Sequence, residues 1–294
     1  MKVITPVTIT DAMYTSGPAE ADYAAYAAGT TYALAARVIR TSTHRVYESL
    51  QASNTGHTPE SSPTWWADIS PTNKWACMDN VVGTATTQAS PLAIVIAPGT
   101  VNSIALLELV GTSVTIGMTS GGSSVYSATV DLDDSSVSDY YEYFFAPFMQ
   151  RSAVVLTDLP PYANGVITVT LTGGGTVELG VLKVGLFSDL GNTLASPTAG
   201  ITDYSAKTTD AYGNTTLTQR AYSNRTAVKL LLPKGDFNRI HRKLADLRAT
   251  PCVWVASDDT ELAPLTVYGF YKDFNLEVPH VRHALCSLEL EGLT

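Results

Sequence analysis

Charge is scarce in this 294-residue chain. Asp, Glu, Lys and Arg make up 15% of it, against about 25% in an ordinary soluble domain. The balance is acidic, net −9, which removes the general reason to expect nucleic-acid binding, since that needs basic stripes. Cysteine is nearly absent. Cys77, Cys252 and Cys286 are odd in number and far apart, so they make neither a disulfide framework nor a zinc pattern, and they fit synthesis in a reducing cytoplasm. The opening MKVITPVTIT lacks the apolar core of a secretory signal. No run reaches the ~18 apolar residues of a membrane-spanning helix.

Catalytic patterning is missing too. No serine sits in a G-x-S-x-G elbow. The acidic pairs Asp133-Asp134 and Asp258-Asp259 read as solvated loops rather than carboxylates facing each other across a cleft. These absences leave no positive sign of an enzyme and no expected cofactor.

What the chain has is Thr, Ser and Gly in place of charge, together with 45% hydrophobic residues. That mixture favours strands joined by short turns, with sheet surfaces kept wet by hydroxyls. The length suits roughly two domains, or three if one is small. The fold class expected is mainly β. Residues 1–21 read as an N-terminal arm: VITPVTIT alternates like a strand, and TSGPAEAD breaks it. A strand with no partner nearby in sequence makes sense if another subunit supplies its sheet edge.

Residues 22–79 form an aromatic block with short strands at ARVIRT and RVYESL, a polar Asn-Gly-Pro loop, then WWADI. Tyr32, Val38, Tyr47, Gly56, Pro59 and Trp66 stand where the small chitin-binding modules of bacterial chitinases carry their framework residues, and the block resembles those modules. Ala35-Ala36 replaces their Gly-Asp turn, and SLQASN stands in place of their exposed aromatic pair. The resemblance makes Trp66 the closing core tryptophan. Adjacent residues on a strand point to opposite faces, so Trp65 is expected to look outward. Trp65, Tyr47 and Tyr32 are the candidate carbohydrate contacts, weighed against core or subunit-interface roles for the same rings.

Residues 80–190 read as an antiparallel β-sandwich, with strands at LAIVIA, SIALLELV, SVTIGMT, SVYSATVDL, YYEYFFAPF, AVVLTDL, VITVTL and TVELGVLKVGLF. This strand pattern resembles jelly-roll or galactose-binding-like sandwiches. Residues 191–200 read as a linker. Residues 201–294 hold a long hairpin turning at Gly213-Asn214, one helix in GDFNRIHRKLADLRATP, and three further strands, an order resembling tail-tube-like domains. Asp236 is placed to cap that helix, and Phe237, Ile240, Leu244 and Leu247 line one face. Its basic residues Arg239, Arg242 and Lys243 are the candidate contacts for an acidic neighbouring subunit, where charge would set register. The bland reading is a solvated face.

Two metal patterns fall short. Asp131 to Glu142 has oxygen side chains at several calcium-loop positions, but Ser136 stands where the sharp turn wants glycine. His280 and His283 would face opposite sides of a strand. No metal site is expected. The sequons at Asn214 and Asn224 have no meaning without secretion.

In the order of its parts, the chain resembles tail-tip or baseplate proteins of long-tailed bacteriophages, and most of all the distal tail class. The parts are ITPVTITDAM, the aromatic block ending in TWWADI, NKWACMDNVVGT, a sandwich, and a terminal LCSLELEGL strand. The resemblance implies a virion structural protein in a ring-shaped homo-oligomer, with a hexamer as the candidate number. It would contact tail tube, tape-measure and baseplate hub proteins. The competing class is a carbohydrate-binding accessory protein that attaches to host surface glycan. A hydrolase working from the sandwich has no support in the sequence.

Overall fold

The computed structural model describes residues 1–133, 140–145, 150–194, 197–210, 212–257, 264–279 and 282–293. It is mainly β, built from antiparallel sheets. Strands β1 (Lys2–Pro6) and β2 (Tyr14–Ser16) open the chain. The aromatic block follows as β3 (Arg37–Arg40), β4 (Arg45–Ser49) and β5 (Trp66–Pro71). Then come β6 (Thr86–Ala89), β7 (Leu92–Ile96), β8 (Ser103–Val110), β9 (Ser113–Ser120) and β10 (Ser123–Asp131). A short helix α1 (Tyr140–Phe145) precedes β11 (Ala153–Leu156), β12 (Val166–Thr172) and the long β13 (Thr176–Asp189). Next are β14 (Asn192–Thr193), β15 (Thr198–Asp203), β16 (Ala206–Thr209), β17 (Thr215–Thr218) and β18 (Tyr222–Pro233). Helix α2 (Phe237–Asp246) leads to β19 (Cys252–Val255), β20 (Thr266–Glu277) and β21 (His283–Gly292).

The sandwich is present. One layer is the five-stranded sheet β10-β9-β12-β7-β2. Its β9 and β12 alternate buried and half-buried residues along most of their length, as a sheet with one dry face must. Ile94, Ile116, Val169 and their neighbours meet Ile104 and Leu106 of β8 and Leu179 and Leu182 of β13 in the largest core.

The second layer is not confined to the sandwich. Nine strands run in one curled sheet, β11-β8-β13-β1-β19-β20-β21-β18-β14, with β6 and β15 attached at the side. The expected boundary between sandwich and C-terminal unit is therefore crossed by hydrogen-bonded backbone. The strand at the crossing is β1. It pairs antiparallel with β13 on one side and β19 on the other, Ile4 lying opposite both Phe187 and Val253.

This corrects the reading of residues 1–21 as an arm seeking another subunit. The alternation in KVITP was legible, but both faces of this sheet are covered. Val3 enters the core beneath α2, and Ile4 enters a separate core with Val181, Val255 and Tyr268. The same segment then reaches the other sandwich layer, where β2 pairs with β7.

Three more expectations change. The linker reading of 191–200 gives way to paired backbone, since β14 and the start of β15 lie on β18. YYEYFFAPF was read as a strand, and its first six residues form α1. Tyr140, Tyr141 and Phe144 are exposed there, and a helical turn satisfies its backbone groups internally where no neighbouring strand does. Asp236 precedes α2 but makes no side-chain cap. Its carboxylate instead accepts from Arg239 Nε at 3.1 Å. Ile240, Leu244 and Leu247 do face the core, with Phe237 packed against it. Residues 134–139 of the Asp131–Glu142 loop, His280 and the Asp258-Asp259 pair lie outside the described residues.

Candidate functional site

The aromatic block is a three-stranded sheet, β3-β4-β5, closed by rings. Trp66 is 2% exposed and packs with Val38 and Tyr47, while Tyr26, Tyr32 and Trp65 lie against the cluster. The indole N–H of Trp66 donates to the His57 carbonyl at 2.8 Å. Tyr32 meets Trp66 edge-on at 5.2 Å and stacks on Tyr26 at 5.8 Å. Ala35 adopts φ of 63°, the left-handed conformation that favours glycine.

The three candidate carbohydrate contacts do not share a surface. Tyr47 is core. Tyr32 is half-buried, and its hydroxyl accepts from the Ala27 amide at 2.8 Å. Trp65 lies in the turn just before β5, half-buried against that same cluster, and His57 stacks on it at 4.0 Å with 12° between the planes. One face of the Trp65 ring is therefore already covered.

A line of rings moors the block to the sandwich. Tyr14 of β2 meets Trp75 edge-on at 5.1 Å, and Trp75 stacks on His44 at 4.1 Å. His44 lies between two carboxylates, Nε2 at 2.7 Å from Asp11 and Nδ1 at 3.0 Å from Glu20. Composition alone could not reveal this clamp, because its members are spread over residues 11 to 75.

The basic helix face is also partly spent within the chain. Besides its contact to Asp236, Arg239 reaches the Asp189 carbonyl at 3.3 Å. Lys243 Nζ donates to Thr5 Oγ1 at 3.2 Å, across to β1. Arg242 lies exposed on the helix surface. Of the three candidate docking residues, it alone has no hydrogen bond or ion pair among the described residues. His283 lies on β21 opposite Pro233, and no cluster of metal-ligating side chains occurs among the described residues.

The most open feature is the hairpin after β15. The strands β16 and β17 form a two-stranded sheet of their own. Every described residue from 207 to 222 is exposed. Leu217 is 75% and Tyr212 91% exposed, and Ile201, Tyr204 and Tyr222 add apolar surface nearer the base. The turn is built, not frayed. Asp210 Oδ1 accepts from the Tyr212 and Asn214 amides at 2.9 and 2.8 Å, Asn214 Nδ2 donates to Oδ2 at 2.8 Å, and Gly213 takes φ of 86°. Those bonds hold the Asp210 carboxyl below its usual range. At the base, Tyr204 donates to Glu291 at 3.1 Å.

No family model, curated protein or solved structure matches this chain.

Proposed function

We propose that this chain is a non-enzymatic structural protein of a long-tailed bacteriophage tail tip or baseplate, of the distal tail kind, assembling with copies of itself into a ring. It would join the tail tube to baseplate or receptor-binding parts, and it would be made in the host cytoplasm. The observation that carries this reading is the projecting hairpin. A two-stranded ribbon with an ordered turn and exposed Leu217, Tyr212 and Tyr222 contributes little to its own subunit. An isolated hairpin is marginal in water, and exposed apolar surface of this kind marks an interaction site.

The test is the mass of the isolated chain by size-exclusion chromatography with light scattering, followed by imaging. A closed oligomer is expected, reverting to monomer when residues 206–218 are replaced by a short Gly-Ser link. A chain that stays monomeric at every concentration, or an oligomer indifferent to the hairpin, would overturn it. The glycan-binding alternative has less support, because Tyr47 is core and Trp65 is stacked on His57. Glycan retention lost in Trp65→Ala with assembly intact would favour it.

A further inference from the structure

A cleft of about 240 Å³ separates the aromatic block from the sandwich, with His44, Trp75, Asp79, Asn80 and Lys183 among its lining. Lys183 comes from the middle of β13 and is 6% exposed. Its amine donates to the Met78 carbonyl at 2.8 Å, the Asp79 carbonyl at 2.6 Å and Asn80 Oδ1 at 3.1 Å. A second donor converges on that same oxygen, the Tyr268 hydroxyl at 2.7 Å. The Asp79 carboxylate, next in the chain, has a buried Oδ2 with no hydrogen-bond partner among the described residues.

From this convergence we propose that Lys183 and Asn80 form an intramolecular isopeptide bond, tying the connector after the aromatic block to the centre of β13. The Lys183 nitrogen attacks Asn80 Cγ, the new C–N bond forms, the bond from Cγ to the side-chain nitrogen breaks, and ammonia leaves. Nothing is oxidised or reduced, and no co-reactant is needed. One proton passes from the attacking nitrogen to the departing one, with Asp79 as carrier: its Oδ1 accepts from the Val81 amide and the Thr84 hydroxyl, both at 3.0 Å, which leaves Oδ2 to take the proton.

Each part of the site answers a requirement of that reaction. The nucleophile must be a neutral amine. Burial, opposed by Asp79 and Cys77, brings the Lys183 amine down to about 8, so roughly a tenth is neutral near pH 7. When the proton leaves, the Met78 and Asp79 carbonyls retain the two remaining N–H groups. The lone pair then faces the third direction, toward the Asn80 carboxamide, which is orientation of the kind that lowers barriers. Charge developing on Oδ1 is met by the Tyr268 hydroxyl, in the manner of an oxyanion donor. Burial raises Tyr268, so that hydroxyl stays protonated. Asn80 is exposed as a residue, which gives ammonia a way out. The two backbone carbonyl oxygens lie nearer the amine than Asn80 Oδ1 does, but attack on either would cut the chain. Of the three carbonyl groups, only the Asn80 carboxamide carries a nitrogen that can leave with the chain intact.

Intact-mass measurement of the purified full chain, with tandem mass spectrometry of its proteolytic peptides, tests the bond. The expected result is a mass lower by one ammonia, and a branched peptide joining the segments that carry Asn80 and Lys183. Asn80→Ala and Lys183→Met should both carry the encoded mass, and Tyr268→Phe should form the bond more slowly. Full recovery of linear peptides for both residues after long incubation in mildly alkaline buffer would overturn the proposal, leaving Lys183 as a cap on the Met78 and Asp79 carbonyls. Ammonia loss with the Lys183 peptide still linear, or persisting in Lys183→Met, would also overturn it, since that marks cyclisation at an asparagine instead.

Discussion

Strand β1 and the β16-β17 hairpin are written in similar letters, KVITP against AKTT and TTLT, and they end in opposite places. The first lies between two strands with Val3 and Ile4 fully buried. The second projects with its described residues in water, apart from a half-buried Ala206. Local alternation is the same signal in both. What separates them is whether the rest of the chain presents a vacant pair of edges: β13 and β19 do so for β1, and none of the described strands does so for the hairpin. Period-two patterning therefore identifies a strand but not its neighbours.

The sharpest way to break the comparison is to delete each element. Removing residues 2–6 should leave no cooperatively folding protein, because it strips hydrogen bonds from both flanking strands and opens two cores. Replacing residues 206–218 with a short link should leave the monomer's thermal midpoint nearly unchanged. Equal losses in the two deletions would show that the hairpin belongs to its own subunit's core after all.

The same contrast recurs at the scale of two residues. Trp66→Ala should cost about 3–5 kcal/mol, as truncation of a buried aromatic does, and a three-stranded block has little stability to spare. Trp65→Ala should cost about 1–2 kcal/mol, its ring being half-covered by His57. Chemical denaturation of the two variants, followed by tryptophan fluorescence, measures both.

A third test sharpens how tightly β1 is seated. A Cβ at Gly185 would lie 2.1 Å from the Thr5 carbonyl oxygen, so β1 can approach β13 only where there is no side chain. Gly185→Ala should cost about 1–3 kcal/mol and raise amide exchange in residues 2–6 first. Unchanged protection there would show that the approach can relax elsewhere.

The smallest expected effect is at the hairpin turn. The Asp210 carboxyl is held below its usual range by Asn214 and the turn amides. A depressed carboxyl stabilises the folded turn above its ordinary value, and that contribution is lost as pH falls through the depressed one. Exchange at the Tyr212 and Asn214 amides should rise on acidification and in Asp210→Ala, with global melting unmoved. Protection independent of pH would show that Gly213 alone sets the turn.

Much of the fold was legible in the sequence because it rests on short-range physics. Strand positions from β7 to β10, the sandwich alternation, the α2 stripe of Ile240, Leu244 and Leu247, and the Gly213 turn all follow from side-chain period and turn chemistry. Five aromatics within six residues misled, because β propensity at Tyr140–Phe145 depends on a neighbouring strand that the segment does not report. Tertiary structure alone decided that β1 joins the sandwich to the C-terminal strands, that Lys243 reaches Thr5, that Tyr47 is core, and that Asn80, Lys183 and Tyr268 converge on one oxygen. Each of these is a pairing between residues tens to hundreds of positions apart. Such pairings depend on which edges and faces remain uncovered once every other strand is in place, and no window of sequence contains that information.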